Sequence, residues 1–215
     1  MHKLGKQSYL FFALLVFLLT GPATGYAHRP GIHLVFYLSA VLIFVTGPFA
    51  VSRSRWSFYF TIVLGVGTFL VGLYSVTTHA MHPIAIALGT IFFSFLAAML
   101  LRQLLFAASE VSSETLWMSI NIYLLFGLVF AFGYAAIAFF EPSAFTGKFM
   151  DQPLRDQMYG FIYFSFVTLT TLGYGDLTPN NTMVGALTYL QAVLGQLYVA
   201  IVVARLVSLY VARKD

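Results

Sequence analysis

The segment from Thr170 to Asp176, with the sequence TTLGYGD, limits the fold of this chain more than any other feature. Glycine alternates there with bulky residues, at Gly173 and Gly175, between two long apolar stretches. In an ordinary strand, successive carbonyls point to opposite sides. Turning them to one side requires left-handed dihedrals at alternate residues, and glycine adopts these at little steric cost. The pattern therefore predicts an extended loop whose carbonyl oxygens face one axis, as an ion-selectivity filter requires.

The composition indicates that this loop lies in a membrane. Of the 215 residues, 60% are hydrophobic and 8% are charged, whereas an average soluble domain is about 25% charged. A membrane-spanning helix needs about 20 mostly apolar residues. Five stretches meet this requirement: Ile32–Val51, Ser57–Thr78, Pro83–Leu101, Thr115–Phe140 and Thr182–Val211. We therefore predict an all-α membrane protein. Its net charge of +4 is spread along helix ends rather than gathered in a patch, so no nucleic acid partner is expected.

A shorter apolar run, Tyr9–Thr20, precedes these stretches and allows two interpretations. As a helix, it brings the count to about six transmembrane helices. Alternatively, the basic residues before the run and the small residues after it resemble a secretory signal. Cleavage after Ala27 would remove residues 1–27 and leave five helices in the same topology.

The basic residues set the orientation of the helices. With the amino terminus in the cytoplasm, eight of the eleven fall on the cytoplasmic side: Lys3, Lys6, Arg53, Arg55, Arg102, Arg205, Arg213 and Lys214. Only Arg29, Lys148 and Arg155 fall outside. Cytoplasmic loops are enriched in Lys and Arg. We therefore predict a multi-pass protein of the cell membrane with both termini in the cytoplasm, unless the first run is removed as a signal.

Met158–Thr170 is apolar and aromatic, but it is too short to cross a membrane. At about 1.5 Å per residue it extends only about 20 Å, against a hydrocarbon core of about 30 Å. Non-helical backbone at this depth survives only where it is buried in protein or lines a wet path. We therefore predict a re-entrant half-helix that leads into the loop, with its partly negative carboxyl end turned towards a cation.

The most polar stretch divides the chain into two units. Residues 1–108 are expected to form an apolar transmembrane bundle, and residues 109–114 a cytoplasmic linker. Residues 115–212 are expected to form an outer helix, the half-helix, the filter loop and an inner helix. Ser113 is the predicted amino-terminal cap of the outer helix, because a serine oxygen accepts hydrogen bonds from the unpaired backbone N–H groups there.

This order of outer helix, half-helix, filter and inner helix resembles the pore unit of potassium channels. The resemblance covers Thr115–Val211 and rests on TTLGYGD with Pro179 after it. It implies an ion path formed by Thr171, Leu172, Gly173, Tyr174 and Gly175. Backbone carbonyls and the Thr171 hydroxyl would replace the hydration shell of K⁺. The family usually has valine in place of Leu172, and leucine keeps an apolar side chain there. Tyr174 favours K⁺ over Na⁺.

The resemblance also implies an assembly and a set of supporting residues. One chain carries one filter strand, so a ring requires a closed symmetric oligomer, which in this family is a tetramer. K⁺ is the permeant ion, and no cofactor is expected. The residues expected to support the filter are Thr170, Asp176, Tyr163 and Val167. Val167 stands where some members have an acidic residue that pairs with the filter aspartate, so that pairing is absent. Tyr163 lies where an aromatic donor can hold Asp176, although simple core packing is the alternative role.

Two further sets of residues have more than one interpretation. Gly195, 19 residues after Asp176, matches the inner-helix hinge of the family. Glycine also lets membrane helices approach closely, so a hinge and a packing contact are equally open. Four histidines fall on the outer side in the predicted topology: His28, His33, His79 and His82. They are candidates for a pH sensor or a metal site, or for interfacial residues with neither role.

These features predict a passive potassium-selective channel and not an enzyme, since no constellation of catalytic residues appears. Pro83–Leu101, the fourth span, carries no charged residue. A voltage sensor needs several, because each charge contributes only about 2.3 kcal/mol per 100 mV. Conventional voltage gating is therefore not expected. Two alternatives stay open. One is a cation transporter subunit, which would place ionisable residues within the spans. The other is a non-conducting membrane scaffold with a pore-like fold.

Overall fold

The computed structural model describes residues 5–26, 30–52, 54–78, 82–106 and 112–212. Seven α-helices occur in these ranges: α1 (Lys6–Tyr26), α2 (Pro30–Ala50), α3 (Arg55–Thr77), α4 (Pro83–Phe106), α5 (Ser113–Phe140), α6 (Leu154–Leu169) and α7 (Thr182–Ala212). A 3-10 turn, Pro142–Ala144, follows α5. Two three-residue strands, β1 (Phe145–Gly147) and β2 (Leu177–Pro179), lie before α6 and after the loop that follows it. The all-α prediction is confirmed.

Four of these helices are long and apolar enough to cross a membrane: Arg55–Ser75, Pro83–Phe106, Ser113–Phe140 and Thr182–Arg205. Within the residues that the structure describes, the apolar helices Lys6–Gly21 and Leu34–Ala50 are shorter. α6 has 16 residues, and it extends about 24 Å at 1.5 Å per residue, less than the hydrocarbon thickness of about 30 Å. The chain is therefore a helical membrane protein in which the short helix α6 packs against the long helices α5 and α7.

The amino-terminal helices share a core with the later ones. α1 packs on α2 and α5, and α4 packs on both α3 and α5. The fully buried side chains of this core include Leu10, Ile43, Phe92, Leu96 and Leu125. These residues come from α1, α2, α4 and α5. The first of the two predicted units therefore lies directly against the helix that opens the second.

Buried polar contacts anchor the start of α1. Gln7 Nε2 donates to Ala50 O at 3.0 Å, and Asn121 Nδ2 donates to Gln7 O at 2.8 Å. Both side chains are buried, and burying polar groups without such partners is costly. α1 also extends beyond the apolar run, from Lys6 to Tyr26. The retained first helix and the removed signal both stay predictions.

The amino-terminal cap of α5 is Ser112, so the prediction of Ser113 was wrong by one residue. Ser112 has φ −122° and ψ 165°, and its side chain accepts a hydrogen bond from Thr115 N at 3.2 Å. Either of two adjacent serine hydroxyls can satisfy an unpaired N–H group at a helix start, so the sequence leaves the choice between them open. Glu114 lies in the first turn, where a negative charge is favourable.

A second core lies between α5, α6 and the two strands. The residues buried there include Tyr134, Phe145, Phe161, Phe164 and Leu177. The rings of Tyr134 and Phe164 contact each other edge-on, with 5.1 Å between their centroids. β1 pairs with β2 in antiparallel register, with Phe145 opposite Pro179. This aromatic core holds α6 and the far end of the loop that follows it.

Candidate functional site

The loop after α6 is tied to the last turns of that helix. Thr170 is the carboxyl-terminal cap, and its N–H donates to Phe166 O at 3.0 Å. Val167 O accepts from Leu172 N at 2.9 Å and from Gly173 N at 3.3 Å. The last carbonyls of a helix have no partner within the helix, so they are free to anchor the loop. Val167 contacts the loop through its main chain, while its own side chain is apolar and buried.

Alternate residues of this loop have left-handed backbone dihedrals. φ is 59° at Thr171, 56° at Gly173 and 75° at Gly175. The two glycines adopt this region at little cost. At Thr171 it costs roughly 1–2 kcal/mol, and the Thr171 hydroxyl donates to Thr170 O at 2.7 Å. An alternation of this kind turns successive carbonyls towards one side, which a regular strand does not do.

The loop is uncovered within a single chain. Residues 170–175 are all exposed, and the exposed fractions of Leu172 and Tyr174 are 54% and 64%. A Cβ added at Gly173 or Gly175 would meet no atom within 4 Å. Non-helical backbone at membrane depth needs protein or water against it. This face therefore requires further copies of the chain, an aqueous path, or both.

Tyr163 ties the far end of the loop back to α6. Its hydroxyl donates to Asp176 Oδ2 at 2.9 Å, which is the hydrogen bond that the family resemblance implied. Its ring lies parallel to the ring of Tyr174, with 6.3 Å between the centroids and 7° between the planes. Phe149 contacts the Tyr163 ring edge-on, at 6.1 Å between centroids. Tyr163 thus combines hydrogen bonding with aromatic packing, which the sequence analysis treated as alternatives.

The segment between α5 and α6, residues 141–153, supplies a second support that the sequence analysis missed. Lys148 N donates to Asp176 O at 2.7 Å. Gly147 has φ +115°, and a Cβ there would collide with the main chain of Asp176. Only glycine tolerates both this dihedral and this close approach. The strand pairing of Gly147 with Leu177 continues the same contact. The segment between α5 and α6 therefore fixes the position of Asp176.

Three buried polar side chains connect α5, α6 and α7 behind the loop. Gln191 Nε2 donates to Ser165 O at 3.0 Å and to Ser165 Oγ at 2.7 Å. Tyr134 OH donates to Gln191 Oε1 at 2.7 Å, and Ser165 Oγ donates to Gly127 O at 2.6 Å. All three side chains are fully buried. A satisfied network in a low-dielectric interior fixes the helices that it joins.

Sequence analysis did not single out Ser165, Gln191 or Tyr134. A usable signal was present in Gln191, an amide inside an apolar span. Such a side chain needs a hydrogen-bond partner on another helix. The partner itself could not be named from the sequence, because the contact joins residues 26 positions apart across the intervening loop.

Gly195 lies where α7 contacts the end of α6. A Cβ at Gly195 would collide with Leu169 O and would come within 2.9 Å of Leu169 Cδ1. The missing side chain therefore permits close packing, which is one of the two roles left open by the sequence. α7 is helical from Thr182 to Ala212 without interruption. The hinge role at Gly195 stays a prediction.

Two of the four histidines of the predicted site lie outside the described residues. His28 and His79 lie outside them, and His33 lies in the first turns of α2. His82 Nε2 lies 3.0 Å from Thr78 Oγ1, and its ring stacks on Tyr74 with 5.0 Å between centroids. Among the residues that the structure places, no group of three or more His, Asp or Glu could hold a metal ion. The pH-sensor hypothesis stays a prediction.

The geometry is that of a helical membrane protein with an exposed, irregular loop after a short helix. Comparison with known proteins also points to a membrane protein. A family model described as an ion channel matches residues 122–212. The match covers most of α5 together with α6, the loop and α7. It supports an ion channel and, with the long apolar helices, a multi-pass membrane protein. Searches of curated proteins and of solved structures found no significant match.

Proposed function

We propose that the chain is a subunit of a potassium-selective channel through which K⁺ passes down its gradient. The observation that carries this proposal is the left-handed alternation at Thr171, Gly173 and Gly175, directly after a helix too short to cross the membrane. Carbonyl oxygens on one side of a strand are the ligands that K⁺ accepts in exchange for its hydration shell. The proposed ion path consists of Thr171, Leu172, Gly173, Tyr174 and Gly175.

The exposed loop supports an assembly of four copies. One chain provides one strand, whereas a ring of carbonyls needs several strands around an axis. Cyclic symmetry presents the same surface of every copy to the centre. α7 lies beside the loop, and its side chains Tyr189, Val193 and Leu197 are 67%, 50% and 50% exposed. Apolar surface of this kind suits contact with neighbouring copies and with lipid.

The contacts around the loop support selectivity. Whether a filter selects by cavity size or by the field of its carbonyls, the oxygens must be held in place. Tyr163 and Lys148 hold Asp176 at the outer end. At the inner end, Val167 O accepts two loop N–H groups, and Thr170 Oγ1 donates to Phe166 O at 2.8 Å. These supports all belong to the same chain as the loop that they hold.

The direction of α6 supports conduction of a cation. Its carboxyl end, at Leu169, leads directly into the loop. A helix carries about half a negative charge at that end. Four such ends around an axis would lower the energy of a cation in the space below the filter. The same arrangement would disfavour an anion.

The proposed channel lies in the cell membrane with both termini in the cytoplasm, because most basic residues then fall inside. Conventional voltage sensing is not proposed. α4 carries Arg102 near its end and no other charged residue. A voltage sensor requires several charges on one helix.

Potassium efflux from liposomes tests the proposal. Gly175→Ala places a side chain at φ 75°, where alanine is disfavoured by roughly 1–2 kcal/mol in each copy. We expect efflux to fall at least about tenfold, since about 1.4 kcal/mol corresponds to a factor of ten. Gly133→Ala is the matched control, because a Cβ at Gly133 would also meet no atom within 4 Å but lies in the helix α5. Undiminished efflux through Gly175→Ala would contradict the filter geometry.

A further inference from the structure

A cavity of about 230 Å³ lies between the amino-terminal helices and α6. Each of the first six helices contributes to its wall. One residue from each, in chain order, is Phe17, Tyr37, Gly72, Phe93, Phe132 and Tyr159. The cavity therefore touches both the amino-terminal bundle and the short helix that ends at the filter loop.

The chemistry of the wall selects hydrocarbon. Among the described residues, no charged side chain lines the cavity. Its two aliphatic hydroxyls are already used: Thr68 Oγ1 donates to Leu64 O at 2.7 Å, and Ser75 Oγ donates to Val71 O at 3.0 Å. Apolar cavities stay dry, and one of about 150 Å³ is large enough to bind benzene. A cavity of this size and lining has room for a longer hydrocarbon segment.

The position of the cavity indicates the source of that hydrocarbon. Leu73 lines it and is 48% exposed, so the cavity reaches the surface where a spanning helix meets lipid. Ser75 lies near the end of α3, and Ala85 lies near the start of α4. In the proposed orientation these two helix ends are on the outer side. The hydrocarbon nearest to the opening of the cavity is therefore an acyl chain of an outer-leaflet lipid.

We infer that this cavity binds one acyl chain of a membrane lipid. The glycine at position 72 keeps part of the space free, since a Cβ added there would meet no atom within 4 Å. The bound chain would lie against Met158, Tyr159 and Ile162 on α6. It would thus contact the helix that carries the filter loop. Binding depends on the membrane location of the chain and does not depend on its ion selectivity.

Photolabelling of the full chain in liposomes tests this site. The bilayer contains phosphatidylcholine with a diazirine on one acyl chain, and labelled peptides are mapped by mass spectrometry after irradiation. We expect labelling to be enriched at peptides that contain Tyr37 or Tyr159. A second arm uses a free fatty acid with the same diazirine. Enrichment in the first arm supports an acyl chain of intact lipid, and enrichment in the second arm alone would overturn that source in favour of a free fatty acid. Labelling spread evenly over the exposed helices in both arms would overturn the proposal.

A matched pair of variants sharpens the result. Gly72→Leu fills the cavity, and we expect it to lower labelling at these peptides by about tenfold, as a loss of about 1.4 kcal/mol in affinity would. Gly67→Leu makes the same change in the same helix. A Cβ at Gly67 also meets no atom within 4 Å, but Gly67 does not line the cavity. Its labelling should match the wild type. Equal labelling of the two folded variants would overturn the site. If the Gly72→Leu variant does not fold, the distribution of labelled peptides in the wild-type protein tests the proposal by itself.

Discussion

Gln191 donates to both oxygens of Ser165, with 3.0 Å to the main-chain carbonyl and 2.7 Å to the hydroxyl. One amide on α7 is thereby joined to the last third of α6, at a residue four positions before its end. Tyr134 completes the contact by donating to Gln191 Oε1 at 2.7 Å. Because the three groups are fully buried, movement of α7 against α6 would break bonds that no water replaces. These contacts therefore tie α7 to both α6 and α5.

Replacement of this amide should destabilise the protein. Gln191→Met keeps the side-chain length but leaves the buried hydroxyl of Tyr134 without its acceptor and the oxygens of Ser165 without their donor. Each unsatisfied buried group costs about 1–3 kcal/mol, so we expect a clear fall in the midpoint of thermal denaturation. Gln196→Met is the matched control on the same helix. Gln196 is exposed, and its Nε2 lies 3.4 Å from Thr171 Oγ1. Equal midpoints for the two variants would show that the network does not contribute to stability.

The hydrogen bond from Tyr163 to Asp176 should hold the outer end of the filter. Tyr163→Phe keeps the ring that stacks on Tyr174 and removes only the donor. A hydrogen bond to a charged group contributes about 1.5–3 kcal/mol. We therefore expect K⁺ current that declines faster during sustained conduction and discriminates less against Na⁺. The measurement is current through planar bilayers, with Tyr59→Phe on the distant helix α3 as the control. A time course identical to the wild type would assign Tyr163 to packing alone.

Gly195→Ala separates the two roles of that glycine. The added methyl group would collide with the main chain of Leu169. If close packing is the role, the variant should assemble poorly, as seen by size-exclusion chromatography in detergent. If Gly195 is only a hinge, the oligomer should form normally and its open fraction should change. Gly185→Ala is the control on the same helix, because a Cβ there would meet no atom within 4 Å.

The mature protein should keep its first helix. Gln7 makes buried contacts with Ala50 and Asn121, which belong to α2 and α5. Removal of residues 1–27 would leave the Ala50 carbonyl and the Asn121 amide without these partners, and burying polar groups without partners is costly. The intact mass of protein purified from membranes should therefore include these residues. A mass that corresponds to a chain starting at His28 would establish the signal interpretation instead.

Local chemistry made the filter loop predictable. The alternating glycines in TTLGYGD permit left-handed dihedrals at little steric cost, and these dihedrals occur at Gly173 and Gly175. Helix type and approximate extent followed from long apolar runs. The contact between Tyr163 and Asp176 was expected from a resemblance to a known family rather than from spacing.

Contacts that join distant parts of the chain were not predictable in the same way. Nothing in the local sequence indicates that the backbone of Gly147 approaches Asp176, because glycine is also common in ordinary turns. Ser165 and Gln191 meet only because α6 and α7 pack together. The left-handed backbone of Thr171, the third such residue in the loop, was also not predicted, because threonine rarely adopts that region. Each of these features depends on tertiary packing, which local patterns in a single sequence do not reveal.

The reversal potential with K⁺ on one side of a bilayer and Na⁺ on the other tests the central claim most directly. A filter of carbonyl oxygens that selects K⁺ by a factor of ten shifts this potential by about 59 mV, and each further factor of ten adds the same amount. We predict a shift of at least about 59 mV in the direction of K⁺ selectivity. A reversal potential near zero, with current still flowing, would contradict the account.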